Sequence, residues 1–119
     1  MDQIAFRFAQ GSTPRIELLL PFLCPTGAKV FVTFAQAGRA VLEYGMNGSP
    51  SPGIGGTGTL TLDTDDRSML VVTMSQADTL SLSPGDVELQ VRVKTTDGAD
   101  TFEPLIGQVI KAHKGGVIA

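Results

Sequence analysis

Along residues 86–95 apolar and polar side chains take turns without a break: Val87, Leu89, Val91 and Val93 alternate with Glu88, Gln90, Arg92 and Lys94. A period of two predicts a β-strand with its apolar set in a core and its polar set facing water or a partner. Seven further runs predict strands at 4–9, 15–22, 29–36, 39–44, 57–63, 68–74 and 101–111. The inward set is Ile16, Leu18, Leu20 and Phe22 in the second and Val30, Val32 and Phe34 in the third, and Leu60 and Leu62 repeat the pattern. Pro104 has no backbone donor, so 101–111 is expected to begin as an edge strand or to carry a bulge before Ile106.

What separates these runs supports the same class. Most of the fourteen Gly and seven Pro fall between the apolar runs rather than inside them, which is the punctuation of all-β chains. One helical turn is expected at 75–80, capped by Ser75 with Asp78 three residues on, and Leu80 or Leu82 would plug the end of the core. Pro84-Gly85 turns the chain into the strand at 86–95, and residues 96–99 form a hairpin turn in which Asp97-Gly98 supplies positive φ. Residues 45–58 read GMNGSPSPGIGGTG and hold too few apolar side chains to offset the entropy of ordering. They are expected to form a flexible Gly/Pro-rich loop. The whole is read as one domain over 1–119, an antiparallel β-sandwich of about seven to eight strands with a polar C-terminal tail at 112–119.

Charge narrows the function classes. Nine Lys and Arg against twelve Asp and Glu give a net charge of -3, without a basic run, so nucleic acid is not an expected partner. The N-terminus lacks a basic region, and the apolar run at 16–24 is interrupted by Glu17 and Pro21. Neither a signal peptide nor a membrane span is expected. One cysteine, Cys24, excludes an internal disulfide and any site of several thiolates.

Candidate chemistry is sparse. The single histidine, His113, stands in the polar tail with no second imidazole. It is read as a solvated residue, and Cys24 as a small buried thiol rather than a nucleophile. Asp63, Asp65 and Asp66 are oxygen ligands of the kind calcium takes, but the glycine and distal glutamate of an EF-hand loop are missing. A turn between two strands, with Arg67 offsetting the charge, explains the same residues. The glycines at 53, 55, 56 and 58 precede no GK[ST] and no helix, so they are read as flexibility rather than a phosphate loop. No cofactor and no catalytic constellation are expected. Phe31 would point outward beside Thr33 and Ala35, marking either a contact between subunits or a face covered by a loop.

Several phrases carry a family resemblance: residues 13–22 (TPRIELLLPF), 30–38 (VFVTFAQAG), 75–80 (SQADTL) and 87–98, including ELQVRVKTTDG. Together they resemble small immunoglobulin-like proteins encoded among the virion genes of tailed phages and prophages. More distantly they are similar to the N-terminal β-sandwich of phage baseplate upper proteins. The resemblance covers nearly the whole chain except 45–58. It implies an immunoglobulin-like fold and a non-enzymatic structural or accessory role, as capsid decoration or a tail or baseplate component. Partners would be other virion proteins or further copies of the chain, and the location the virion or the host cytoplasm during assembly. Candidate contact surfaces are the first and last strands and the 45–58 loop, with Phe31, Thr33, Gly53 and Ile54 as partner-binding residues. The alternative is a module that binds carbohydrate or another cell-surface ligand.

Overall fold

The computed structural model describes residues 5–20, 24, 27–63, 68–95, 98–101 and 105–110. They form nine strands and one short helix in the order β1 (Phe6–Ala9), β2 (Arg15–Leu19), β3 (Lys29–Gln36), β4 (Arg39–Met46), β5 (Thr59–Leu62), β6 (Met69–Thr73), α1 (Gln76–Leu80), β7 (Gly85–Thr95), β8 (Gly98–Thr101) and β9 (Leu105–Ile110). Two sheets result. The larger runs β1-β9-β7-β3-β4 with β8 also on β7, and the smaller runs β2-β6-β5. This is an immunoglobulin-like β-sandwich, with β2, β6 and β5 in the places of strands B, E and D and β9, β7 and β3 in those of G, F and C.

The period-two pattern of β7 sets the core. Val87, Leu89, Val91 and Val93 are buried, while Glu88, Gln90, Arg92 and Lys94 are exposed. Val91 and Tyr44 flank Val32, and Leu89 and Leu42 flank Phe34, so β7, β3 and β4 present one continuous apolar inner face. Ile16 and Leu18 of β2, Leu20 just beyond it, Leu60 of β5 and Leu70 and Val72 of β6 close over it. Immunoglobulin domains of antibodies commonly centre on a tryptophan packed against a disulfide. Here the centre is aromatic instead, with the Phe34 ring edge-on to Phe6 at 6.3 Å and to Tyr44 at 6.1 Å. Cys24, the one cysteine of the chain, is buried.

Three expectations require correction. The first strand pairs parallel with the last, so the sandwich is not wholly antiparallel. The run at 101–111 is divided: Thr101 closes β8, which pairs with β7, and Leu105–Ile110 form β9, which lies between β1 and β7 and is no edge. Leu89 faces Leu105 and Arg92 faces Thr101, so three steps along β7 oppose four along the returning chain. Residues 102–104, where Pro104 stands and where the bulge before Ile106 is expected, lie outside the described residues. Thirdly, β2 ends at Leu19, and Phe22 also lies outside the described residues.

Local signals are met at the turns. Ser75 caps α1, its hydroxyl accepting from Asp78 N at 3.2 Å. Leu82 is buried against the core, while Leu80 is 55% exposed, which decides which leucine is the plug. Gln36 clamps the following turn, donating to Ser83 O at 2.8 Å and accepting from Ser83 N at 2.9 Å. The β3–β4 hairpin turns on Ala37 at φ 52 and Gly38 at φ 74, both left-handed as the twist of a two-residue hairpin requires.

Candidate functional site

Successive side chains of β4 face opposite ways, so Glu43 stands on the outer face of the large sheet and Tyr44 on the inner one. Both are buried, and each anchors part of the 45–58 segment. The Glu43 backbone donates to Ile54 O at 2.7 Å and accepts from Gly56 N at 2.9 Å. Residues 54–56 therefore lie along the edge of β4. The Glu43 carboxylate accepts from Thr33 Oγ1 at 2.8 Å and from Ser51 N at 2.7 Å. Burial pushes its pKa up, but the donors from Ser51 and Thr33 and the charge of Arg92 outweigh that and hold it below the usual range.

Tyr44 reaches the opposite anchor. Its hydroxyl donates to Asp78 Oδ2, and the same carboxylate accepts from Thr57 N at 3.0 Å, Thr57 Oγ1 at 3.2 Å and Gly58 N at 2.9 Å. Burial raises the Asp78 pKa, yet these donors more than reverse it and leave it depressed. For Tyr44, burial, the bond to Asp78 and that carboxylate's charge all act upward and keep the phenol protonated. Neither group titrates near neutrality, where a general acid or base would need to sit. The cluster is built to hold charge still rather than to move protons.

Two of the glycines read as plain flexibility have a different reason. A Cβ on Gly58 would lie 2.0 Å from Thr73 O, and one on Gly56 would lie 2.5 Å from Tyr44 Cε1. These positions need the absence of a side chain so that the segment can approach β6 and Tyr44. Between β4 and β5 the anchored segment leaves a groove of about 300 Å³, lined by Gly45, Pro50, Gly58, Leu60 and Thr61 among others.

The partner-binding candidates do not come together. Phe31 does lie on the outer face, but it is buried. Gly48 packs on its ring, where a Cβ would come within 2.9 Å of Phe31 Cζ, and Arg92 sits 5.4 Å from the ring centroid. Thr33 is occupied by Glu43. Loop cover, the other option left open for that face, is what the structure has, so Phe31 and Thr33 are not open contact residues. Gly53 is exposed and Ile54 half-buried at the loop tip. Asp63 donates its backbone N–H to Met69 O at 2.9 Å, as a strand connection would. Asp65, Asp66 and His113 lie outside the described residues.

Sequence reasoning missed Glu43 and Tyr44 and gave Asp78 only a helix-capping role. The partners of Glu43 and Asp78 are hydroxyls of Thr33, Tyr44 and Thr57 and backbone N–H groups of Ser51, Thr57 and Gly58, and the backbone donors leave no trace in residue identity. The one available signal was the Gln76-Ala77-Asp78-Thr79 run, where an acid precedes a threonine that proves fully buried.

No protein-family model and no curated protein matches the chain. Among solved structures it is similar to CopC from Methylosinus trichosporium OB3b, with a TM-score of 0.55 and 13% identity over 94% of this chain and 89% of that one. The first immunoglobulin-like domain of human CD48 aligns with a TM-score of 0.42 and 17% identity over 99% of this chain and 91% of that one. At 13% identity the likeness to CopC is one of fold.

Proposed function

We propose that this domain is a non-enzymatic assembly module, a structural or accessory protein of a phage or prophage virion that engages partner subunits by strand addition. The phage assignment rests on the resemblance of residues 13–22, 30–38, 75–80 and 87–98. The mode of engagement rests on one observation, the open edge of β5. Natural edges are commonly guarded by charges, prolines or bulges, because unpaired N–H and C=O groups recruit other strands. Here β1 carries Arg7, β2 carries Arg15 and Glu17, β8 carries Asp100, and β4 is covered by residues 54–56. Among the described residues β5, with the sequence TLTL, pairs with β6 alone, and it has no charged residue.

An added strand would place alternate side chains over the groove between β4 and β5, so the fitting partner is an extended, uncharged segment with small apolar residues at every second position. Many copies in a symmetric particle would compensate for the weakness of each contact. Carbohydrate recognition finds less support, because the described aromatic rings Phe6, Phe8, Phe31, Phe34 and Tyr44 are buried or half-buried and none offers an open platform. Mass spectrometry of particles purified from the source organism tests the reading. The protein is expected among the virion components, with cross-links from residues 57–62 to another subunit. Thr61→Lys, which charges the edge without disturbing the core, should abolish incorporation. Particles free of the protein, or full incorporation of the Thr61→Lys variant, would overturn it.

A further inference from the structure

A second surface, on the other side of the molecule, has a self-complementary pattern. The outward side chains of β7 are, in order, Asp86, Glu88, Gln90, Arg92 and Lys94, all exposed. Two acids, a neutral centre and two bases are therefore spread along one strand, with about 27 Å between the first and last at the usual rise per residue. We propose that this face binds a second copy of the chain, two β7 strands crossing antiparallel about a two-fold axis at Gln90. That axis sets Asp86 against Lys94 and Glu88 against Arg92 of the partner copy, and the same pairs recur on the other side, as an isologous contact requires.

Two independent features favour an external acid at the basic end. Lys29 is the direct register partner of Lys94 across the β3–β7 ladder, and like charges placed opposite one another destabilise a sheet. Both line a cavity of about 270 Å³ with Gly27 and Thr95. Among the described residues neither forms an ion pair; the ion pair present is Arg15–Glu17. Among the described residues no ion pair relieves this repulsion, and carboxylates from a second copy would relieve it. Arg92 is also held in advance, its guanidinium resting on the buried Phe31 ring, so less side-chain freedom is lost when it pairs. On the far side of β7, Ile106 and Gln108 of β9 are half-buried and bring no charge into the contact. The loop over Phe31 bounds the face on the β4 side.

Exposed ion pairs are individually weak, so the pairing is weak and screened by salt. Sedimentation equilibrium on the intact protein is expected to show a monomer–dimer exchange whose Kd rises about tenfold or more from low to high salt. The variants Arg92→Glu/Lys94→Glu and Asp86→Lys/Glu88→Lys should each be monomeric, with unchanged far-UV circular dichroism. Mixed in equal amounts they should associate again, because each supplies the charges the other lacks. The surface proposed at β5 is separate, so Thr61→Lys leaves this dimer intact, and either result can fail without the other. A wild-type protein monomeric at high concentration and low salt, dimers that survive the charge reversals, or a mixture that does not associate would each overturn the proposal.

Discussion

The β3–β7 centre and the β4–β5 side are held by different physics. At the centre, Val30, Val32, Phe34, Val87, Leu89 and Val93 are almost completely buried with no charged side chain among them. On the β4–β5 side, two buried carboxylates, Glu43 and Asp78, gather backbone and hydroxyl donors from residues 51 and 57–58 and so fasten a segment with hardly any apolar content. Apolar burial is indifferent to which residue supplies the methyl groups and to moderate changes of pH. A carboxylate anchor depends on one residue and on its ionisation. The same sandwich therefore contains a robust half and a conditional one.

The sharpest test of the contrast is a cavity at the centre. Leu89→Ala should lower the free energy of unfolding by about 2–5 kcal/mol, with little dependence on pH between 5 and 8, measured by chemical denaturation. If the loss proved small, the centre would not be the close-packed part of the molecule. Next in size is Asp78→Ala, which strands the Tyr44 hydroxyl and the Thr57 and Gly58 amides. Its expected cost is about 2–3 kcal/mol. In hydrogen exchange the amides of Thr57 and Gly58 should lose protection while those of β7 keep theirs, and equal losses in both places would erase the distinction between the two halves.

Acid should act on the conditional half alone. The folded pKa values of Asp78 and Glu43 are both depressed, so their contribution is fully present above the ordinary carboxylate values of about 4. It is lost as pH falls from there through the folded values, because the unfolded chain takes up protons first. Stability measured from pH 6 down to 3 should fall, and Asp78→Asn should flatten part of that slope; an unchanged slope would remove Asp78 from the account. The smallest effect concerns neither half. Ala37 holds a positive φ that costs a residue with a Cβ, and Ala37→Asn should raise stability by about 0.5–1 kcal/mol, since Asn-Gly suits this hairpin turn. A lower melting temperature would show that the turn is not under strain.

Residue order alone determined the class of fold and much of its core. The alternation in β7 and β3 named their inward residues correctly, and Ser75 announced the cap of α1. These are short-range properties, written in spacing and backbone chemistry. Only the tertiary structure decided that β1 joins β9 in parallel, that Phe31 is covered by Gly48, and that Glu43, Tyr44 and Asp78 fasten residues 51–58. Each of those outcomes brings together groups remote in sequence, and most depend on backbone N–H and C=O groups that every residue carries alike. A pattern of side chains can show which face is apolar, but it does not identify which distant amide will meet a buried carboxylate.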